Sequence, residues 1–212
     1  GTVNLLCTDK TGTITENRLT YQNEWINTGS QFHPLILARL ASHNITKQNP
    51  EPFDRASDEA LNEEQRLFIK SFTILQEEAF DPAIRSNGAV IRSQDGKQYH
   101  IRRGSPEYFI EQGWIEKEKV DLWLKDEERK GHRVLGTSYD DGSGHKFAGF
   151  VSFEDRLKST TIDTIKEAKK LNVLITIITG DALVVAEAVG REAGLVAHKN
   201  EVIEAQTFLS LP

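Results

Sequence analysis

Two short apolar runs, one near each end of the chain, each break off into an aspartate among small polar residues. The first is Val3-Asn4-Leu5-Leu6-Cys7, followed by Thr8-Asp9-Lys10-Thr11-Gly12-Thr13. The second is Val173-Leu174-Ile175-Thr176-Ile177-Ile178, followed by Thr179-Gly180-Asp181. Such runs are too short for helices and read as buried strands, the second of the parallel type, with Cys7 as apolar filler. Polar loops at strand carboxyl ends are where open α/β sheets place their ligands. Since the two strand-and-loop segments are alike but far apart in sequence, the simplest topology is one α/β domain interrupted by an insert.

The texture between them differs. Pro34 to His43 reads as a helix, with proline in the tolerated first turn. Ala56 to Ile69 reads as a second, with Ser57 as cap and Asp58 and Glu59 suited to the first turn. Thr73 leads a strand toward Phe80. Gly88 to Arg103 reads as a hairpin turning at Asp95-Gly96. Helices follow over Ser105–Glu111 and Glu116–Lys130, the second stopped by Gly131. Arg133–Ser138 and Lys146–Phe153 read as paired strands. The insert is therefore α+β with antiparallel pairing. Beyond Ser159, Ile162, Ile165 and Ala168 share a helix face that ends at Leu171. A last helix, Ala182 to Ala193, stops at Gly194.

Composition excludes several classes. The 212 residues carry 26 Lys plus Arg against 32 Asp plus Glu, a formal charge of −6. That balance gives no electrostatic reason to expect nucleic acid or an anionic membrane as partner. One cysteine precludes an internal disulfide, and the six histidines lack zinc-ligand spacing with it. The longest apolar runs are about six residues, against roughly 20 for a membrane span. No signal peptide or lipidation motif shows. Methionine is absent, so a fragment, a processed product or a trimmed chain is expected. Gly142-Ser143-Gly144 reads as a turn without a P-loop lysine, and the charge runs at 116–119 and 126–130 as solvated helix faces.

The two loops carry the candidate chemistry. Asp9 suits a nucleophile, a magnesium ligand or both. Lys10 and the following backbone amides suit the screening of phosphate charge. Thr179 and Gly180 suit hydrogen bonding to the same phosphoryl oxygens. Taken alone, the first loop also reads as a polar strand-to-helix connection.

Cys7-Thr8-Asp9-Lys10-Thr11-Gly12-Thr13-Ile14-Thr15 resembles the phosphorylation motif of P-type ATPases, ion pumps that pass through an aspartyl-phosphate. Six further elements match in the family's order. Ala56-Ser57-Asp58-Glu59-Ala60 is similar to the acidic element of the nucleotide-binding domain, and Phe80-Asp81-Pro82 with Arg85 to its adenine-side strand. Arg103-Gly104-Ser105-Pro106-Glu107 resembles the Lys-Gly-Ala-Pro-Glu element, with arginine, a planar fork, in place of lysine. Gly131-His132-Arg133-Val134-Leu135 resembles the arginine strand near the phosphates. Asp155-Arg156-Leu157-Lys158 resembles the hinge element, and Ile178-Thr179-Gly180-Asp181 the threonine loop. His33-Pro34 is similar to the His-Pro of the heavy-metal branch, but its flanks differ. The Phe80 and Arg103 elements point to the calcium, magnesium or proton branches.

The resemblance implies an incomplete haloacid-dehalogenase-like (Rossmannoid) α/β phosphorylation domain over 1–22 and 150–212. Its insert, 23–149, would be an α+β nucleotide-binding domain containing an antiparallel sheet. Asp9 would take the γ-phosphoryl of ATP, with Asp9 and the Thr11 carbonyl holding Mg2+ and Lys10, Thr179, Gly180 and Asp181 completing the catalytic set. Nucleotide contacts would come from Asp58, Glu59, Phe80, Arg85, Arg103, Gly104, Arg133, Asp155 and Arg156. Plainer readings stand beside these. Phe80 also suits a core, Asp58 and Glu59 the macrodipole of a helix start, Gly104 a turn, Arg133 a strand surface, and Asp155 and Arg156 a helix cap.

The implied partners are ATP, a transported cation, and actuator and transmembrane domains of the same parent chain at the cytoplasmic face of a membrane; nucleic acid is not among them. Phosphatase relatives place an aspartate where this chain has Thr11, and threonine cannot titrate near neutral pH. Slow phosphoenzyme hydrolysis is therefore expected. The family's catalytic lysine and Gly-Asp-Gly-x-Asn-Asp loop have no counterpart before Pro212, and Lys199 and Asn200 lack the matching context. Weak ATP binding and little autophosphorylation are expected of the chain alone. A soluble dehalogenase-type phosphohydrolase and a non-catalytic nucleotide-binding module are the alternatives.

Overall fold

The computed structural model describes residues 3–42, 51–198 and 201–210. Lys199, Asn200 and the expected helix end at His43 lie outside them. The chain divides into two compact units. One comprises Gly1–Arg18, Asp126–Arg133 and Glu154–Pro212; the other comprises Leu19–Lys125 and Val134–Phe153.

In the first unit, β1 (Leu5–Asp9) and β8 (Leu174–Ile178) pair in parallel. Leu5 lies opposite Leu174 and Asp9 opposite Ile178. The parallel pairing agrees with the apolar runs, but their burial does not. Leu5, Leu6, Leu174 and Ile178 are all exposed, Leu174 by 71%. Cys7 is exposed too, which overturns its reading as buried filler. The reason is that among the described residues each strand has a single neighbour in a two-stranded sheet, whereas the pattern presumes a sheet covered on both faces. Helices α6 (Thr161–Lys170), α7 (Leu183–Glu192) and α8 (Ala205–Leu209) complete the unit. Ile165, Val185 and Val189 are buried, but Ile162 and Leu171 of the expected α6 face are exposed.

The second unit is built on a six-stranded sheet of order β2-β7-β6-β5-β4-β3. Its strands are β2 (Thr15–Ile26), β3 (Phe72–Asp81), β4 (Ser86–Ser93), β5 (Gln98–Gly104), β6 (Arg133–Asp140) and β7 (His145–Leu157). The β3–β4, β4–β5 and β5–β6 pairs are antiparallel. Two apolar cores flank it. One joins Leu35, Leu37, Leu40 and Ala56 of α1 (Pro34–Leu40) and α2 (Pro52–Ala60) to Ile91, Ile101 and other sheet residues. The other joins Phe109 and Val120 of α4 (Pro106–Glu111) and α5 (Lys117–Arg129) to Phe147 and Phe150. Along β7, Phe147 and Phe150 enter one core while Ala148, Val151 and Phe153 enter the other.

Two local readings change. The helix expected over Ala56–Ile69 is two helices, α2 and α3 (Glu63–Lys70), separated at Leu61-Asn62. Asn62 caps α3 in a reciprocal box with Gln65, so the start signal lies there. Ser57 is buried inside α2 and is no cap. His33 caps α1, its Nδ1 accepting from the Leu35 N–H at 3.3 Å, which gives His33-Pro34 a helix-starting role.

Candidate active site

Asp9 ends β1, and its exposed carboxylate accepts the Lys10 backbone N–H at 2.7 Å. The loop over 10–14 then turns through Gly12, whose φ of +78° favours glycine. The Thr15 N–H returns to the Lys10 carbonyl. The Thr15 hydroxyl accepts the Gly12 N–H at 3.2 Å and lies 2.8 Å from Asp155 Oδ2. Lys158 Nζ donates to the Gly12 carbonyl at 2.6 Å. The Lys158 N–H and the Thr161 hydroxyl both donate to the Ile14 carbonyl. The loop is thus tied at several points to the chain that leads from β7 into α6.

Lys10, expected to screen phosphate charge, turns its side chain inward onto carboxylates. It is buried, with its ammonium 2.8 Å from Asp181 Oδ2 and 3.7 Å from Asp155 Oδ2. Burial favours this arrangement, because an ammonium removed from water needs carboxylates at hand. Asp181 is shared, since Arg133 Nη2 reaches its Oδ1 at 2.7 Å. Burial pushes the Asp181 carboxyl up, but Lys10 and Arg133 outweigh it and hold the group below the usual carboxylate range. Arg133 leaves a turn pinned by the buried Glu127, which meets His132 Nδ1 at 2.8 Å and Lys130 Nζ at 3.1 Å.

In the second loop the Thr179 hydroxyl accepts the Asp181 N–H at 3.1 Å. A methyl on Gly180 would meet nothing within 4 Å, so this edge is open. Because Asp9 lies opposite Ile178, Asp9 and Thr179 leave the same edge of the sheet. The structure therefore brings Asp9, Lys10, Asp155, Thr179, Asp181 and Arg133 together. Arg156 stands apart, exposed and paired with Glu154 at 3.0 Å. Asp155 does not cap α6, because it is still within β7. Thr15 and Lys158 join them beyond the expected set, and both fall inside the matched motifs.

The candidates in the second unit are arranged differently. Asp58 and Glu59 lie in the last turn of α2, which rules out a helix-start role. Asp58 bridges Arg39 and Arg66, each at 3.0 Å. Burial raises its carboxyl, and the two arginines bring it below the usual range. Phe80 is 57% exposed at the end of β3, so it is not core. Arg85 occupies a turn at φ +51° and lies 3.8 Å from Glu107.

Arg103 is buried on Asp54, donating also to Asn87 Oδ1 at 2.9 Å and the Ala38 carbonyl at 3.1 Å. Its guanidinium is therefore occupied by the fold. Gly104 answers to a backbone approach, because a Cβ there would stand 2.7 Å from the Arg85 carbonyl. Ser105 N–H donates to that same carbonyl at 3.0 Å.

Among the described residues no group of three or more His, Cys, Asp or Glu side chains is placed to hold a metal ion, and no helix is long and apolar enough to cross a membrane. The sequence matches the haloacid dehalogenase-like hydrolases over residues 3–208. It is 29% identical over 203 residues to a plasma membrane ATPase of Neurospora crassa, covering 91% of this chain and 22% of that protein. It is 27% identical over 205 residues to plasma membrane ATPase 2 of Saccharomyces cerevisiae, with 91% and 21% covered. A Methanocaldococcus jannaschii protein named as a cation-transporting ATPase is 29% identical over 202 residues, with 91% and 24% covered. The chain thus spans less than a quarter of the length of these relatives.

Proposed function

The chain belongs to the haloacid dehalogenase-like hydrolase family, and from that premise we propose that it is the ATP-binding and phosphorylation head of a P-type cation-transporting ATPase. The observation that carries this is Asp9: an exposed carboxylate at a strand's carboxyl end, held by the following N–H, beside the open Gly180 edge. In the proposed step a carboxylate oxygen of Asp9 attacks the γ-phosphorus of ATP. The bond from phosphorus to the bridging oxygen breaks, and ADP leaves with its electron pair. Thr179 and Gly180 donate hydrogen bonds to the transferred phosphoryl.

Magnesium commonly takes one or two carboxylates plus substrate phosphates. An exposed Asp9 with the Thr11 carbonyl fits that donor set, and the ion when bound supplies charge neutralisation. Thr11 cannot act as a general base, so the acyl phosphate persists. That property favours the pump over a soluble phosphohydrolase.

Residues 1–22 and 150–212 are read as the phosphorylation domain, and 23–149 as the nucleotide-binding domain. Phe80 offers a face for adenine, with Arg85, Gly104, Asp58 and Glu59 as further nucleotide-side residues, while Arg133 and Arg156 belong to the phosphorylation side, each paired with a carboxylate. Arg103 serves the nucleotide site by holding its strand, and Asp155 by holding Thr15. Membrane and actuator domains, the transported cation and a place at the cytoplasmic face follow from the same reading.

The test is acid-quenched labelling of the full-length protein with [γ-³²P]ATP and Mg2+. Acid-stable, hydroxylamine-labile label is expected, and Asp9→Asn should abolish it. Label that survives Asp9→Asn would overturn the assignment.

A further inference from the structure

The invariable cost of burying an ammonium makes Lys10 the group whose position most needs an account. Its side chain is 2% exposed and its neighbour Asp155 is 5% exposed. The formal charges of Lys10 and Arg133 are matched by those of Asp155 and Asp181, all within one unit. A lysine whose charge is already matched has little left for a phosphoryl dianion. Turning it outward would leave Asp155, nearly inaccessible to water, without a cation and Asp181 with Arg133 alone, which is costly. Meanwhile the backbone of the same residue does touch the reacting group, through the N–H that donates to Asp9 Oδ1. Its carbonyl receives the Thr15 N–H, and Thr15 in turn binds Asp155. Side chain and main chain of Lys10 are thus both tied to Asp155, the second through Thr15.

We infer that Lys10 is a positioning residue rather than a phosphate ligand: its buried side chain, clamped by Asp181 and Asp155, fixes the backbone N–H that aims the Asp9 carboxylate. The inference rests on Asp9 being the phosphoryl acceptor for its catalytic consequence, though the clamp itself does not. Arg133 supports the clamp at one remove, by holding the other oxygen of Asp181.

Two measurements test this. In hydrogen exchange, Lys10→Met should speed exchange at the Lys10, Gly12 and Thr15 amides by about tenfold or more, while the surface control Lys170→Met leaves them unchanged. In phosphoenzyme formation by the full-length protein, Lys10→Met should lower kcat about 100-fold, as a small misplacement does, with KM for ATP within about twofold. Asp181→Asn serves if Lys10→Met does not fold, and it separates the two roles. A strut loses its clamp, so kcat falls and exchange quickens. A phosphate ligand would be released to bind, so KM would fall with exchange unchanged. The inference is overturned if either variant changes KM while the loop amides keep their protection. Survival of label in Asp9→Asn would instead sink the phosphoryl-acceptor reading and leave the exchange result to decide the clamp.

Discussion

The two sheets of this molecule are built from similar apolar strands but treat them differently. In the six-stranded sheet Ile91, Ile101, Phe150 and Val151 are fully buried between helices. In the two-stranded sheet the comparable Leu174 and Ile178 face solvent. Among the described residues the same division separates the two buried cations, Arg103 and Lys10. Arg103 is spread over a carboxylate, an amide and a carbonyl within the packed unit. Lys10 sits between two carboxylates beside an open loop. A planar fork with several fixed donors suits the static site, and a compact point charge suits the one that ties loops together. The packed unit carries its stability in its interior, whereas the candidate chemistry stands on the thinner sheet, where order comes from polar ties.

The comparison breaks first at Arg103. Arg103→Met leaves Asp54 buried without its cation, and about 3–5 kcal/mol of stability should be lost in urea unfolding. A loss below about 1 kcal/mol would mean the pair is not what holds β5 to α2. Gly136→Ala comes next, since its Cβ would lie 2.5 Å from Phe109; overpacking should cost about 1–3 kcal/mol in the same assay.

In the open unit the effects shrink. The Asp181 carboxyl is held low in the folded state, so its contribution is fully present above the unfolded value of about 3.9 and fades as pH falls through the lowered folded value. The gap between wild type and Asp181→Asn should accordingly begin to narrow below about pH 4 and close only below the lowered folded value. A constant gap across pH would show that the carboxyl's charge is not what matters. Smallest is Leu174→Thr, an exposed strand position, expected within about 0.5 kcal/mol. A larger loss would show that the two-stranded sheet is packed after all.

Much of the architecture is legible in the residue pattern. The parallel pairing of the two end strands follows from their matched runs and loops, and the hairpin at Asp95-Gly96 follows from its turn chemistry. The exposure of those end strands is not legible there, because an apolar run reports what a strand can tolerate and not how many neighbours it has. Asp58 and Glu59 looked like helix-start acids because Ser57 precedes them, while the stronger signal was Asn62 with Gln65 three residues on. At the site, Asp9 and the Thr179 loop are legible as strand-end loops. The partners of Lys10 are not: nothing local in a sequence tells a lysine that faces a ligand from one turned inward onto carboxylates about 145 and 170 residues away.

The exposure of Cys7 has a practical side. It is the chain's single thiol, and residues two apart on a strand share a face of the sheet, so Cys7 and Asp9 look out the same way. Within these 212 residues a maleimide dye placed there meets no competing cysteine. It would sit one side-chain spacing from the carboxylate proposed to become an acyl phosphate, close enough for its emission to register a dianion appearing on that face.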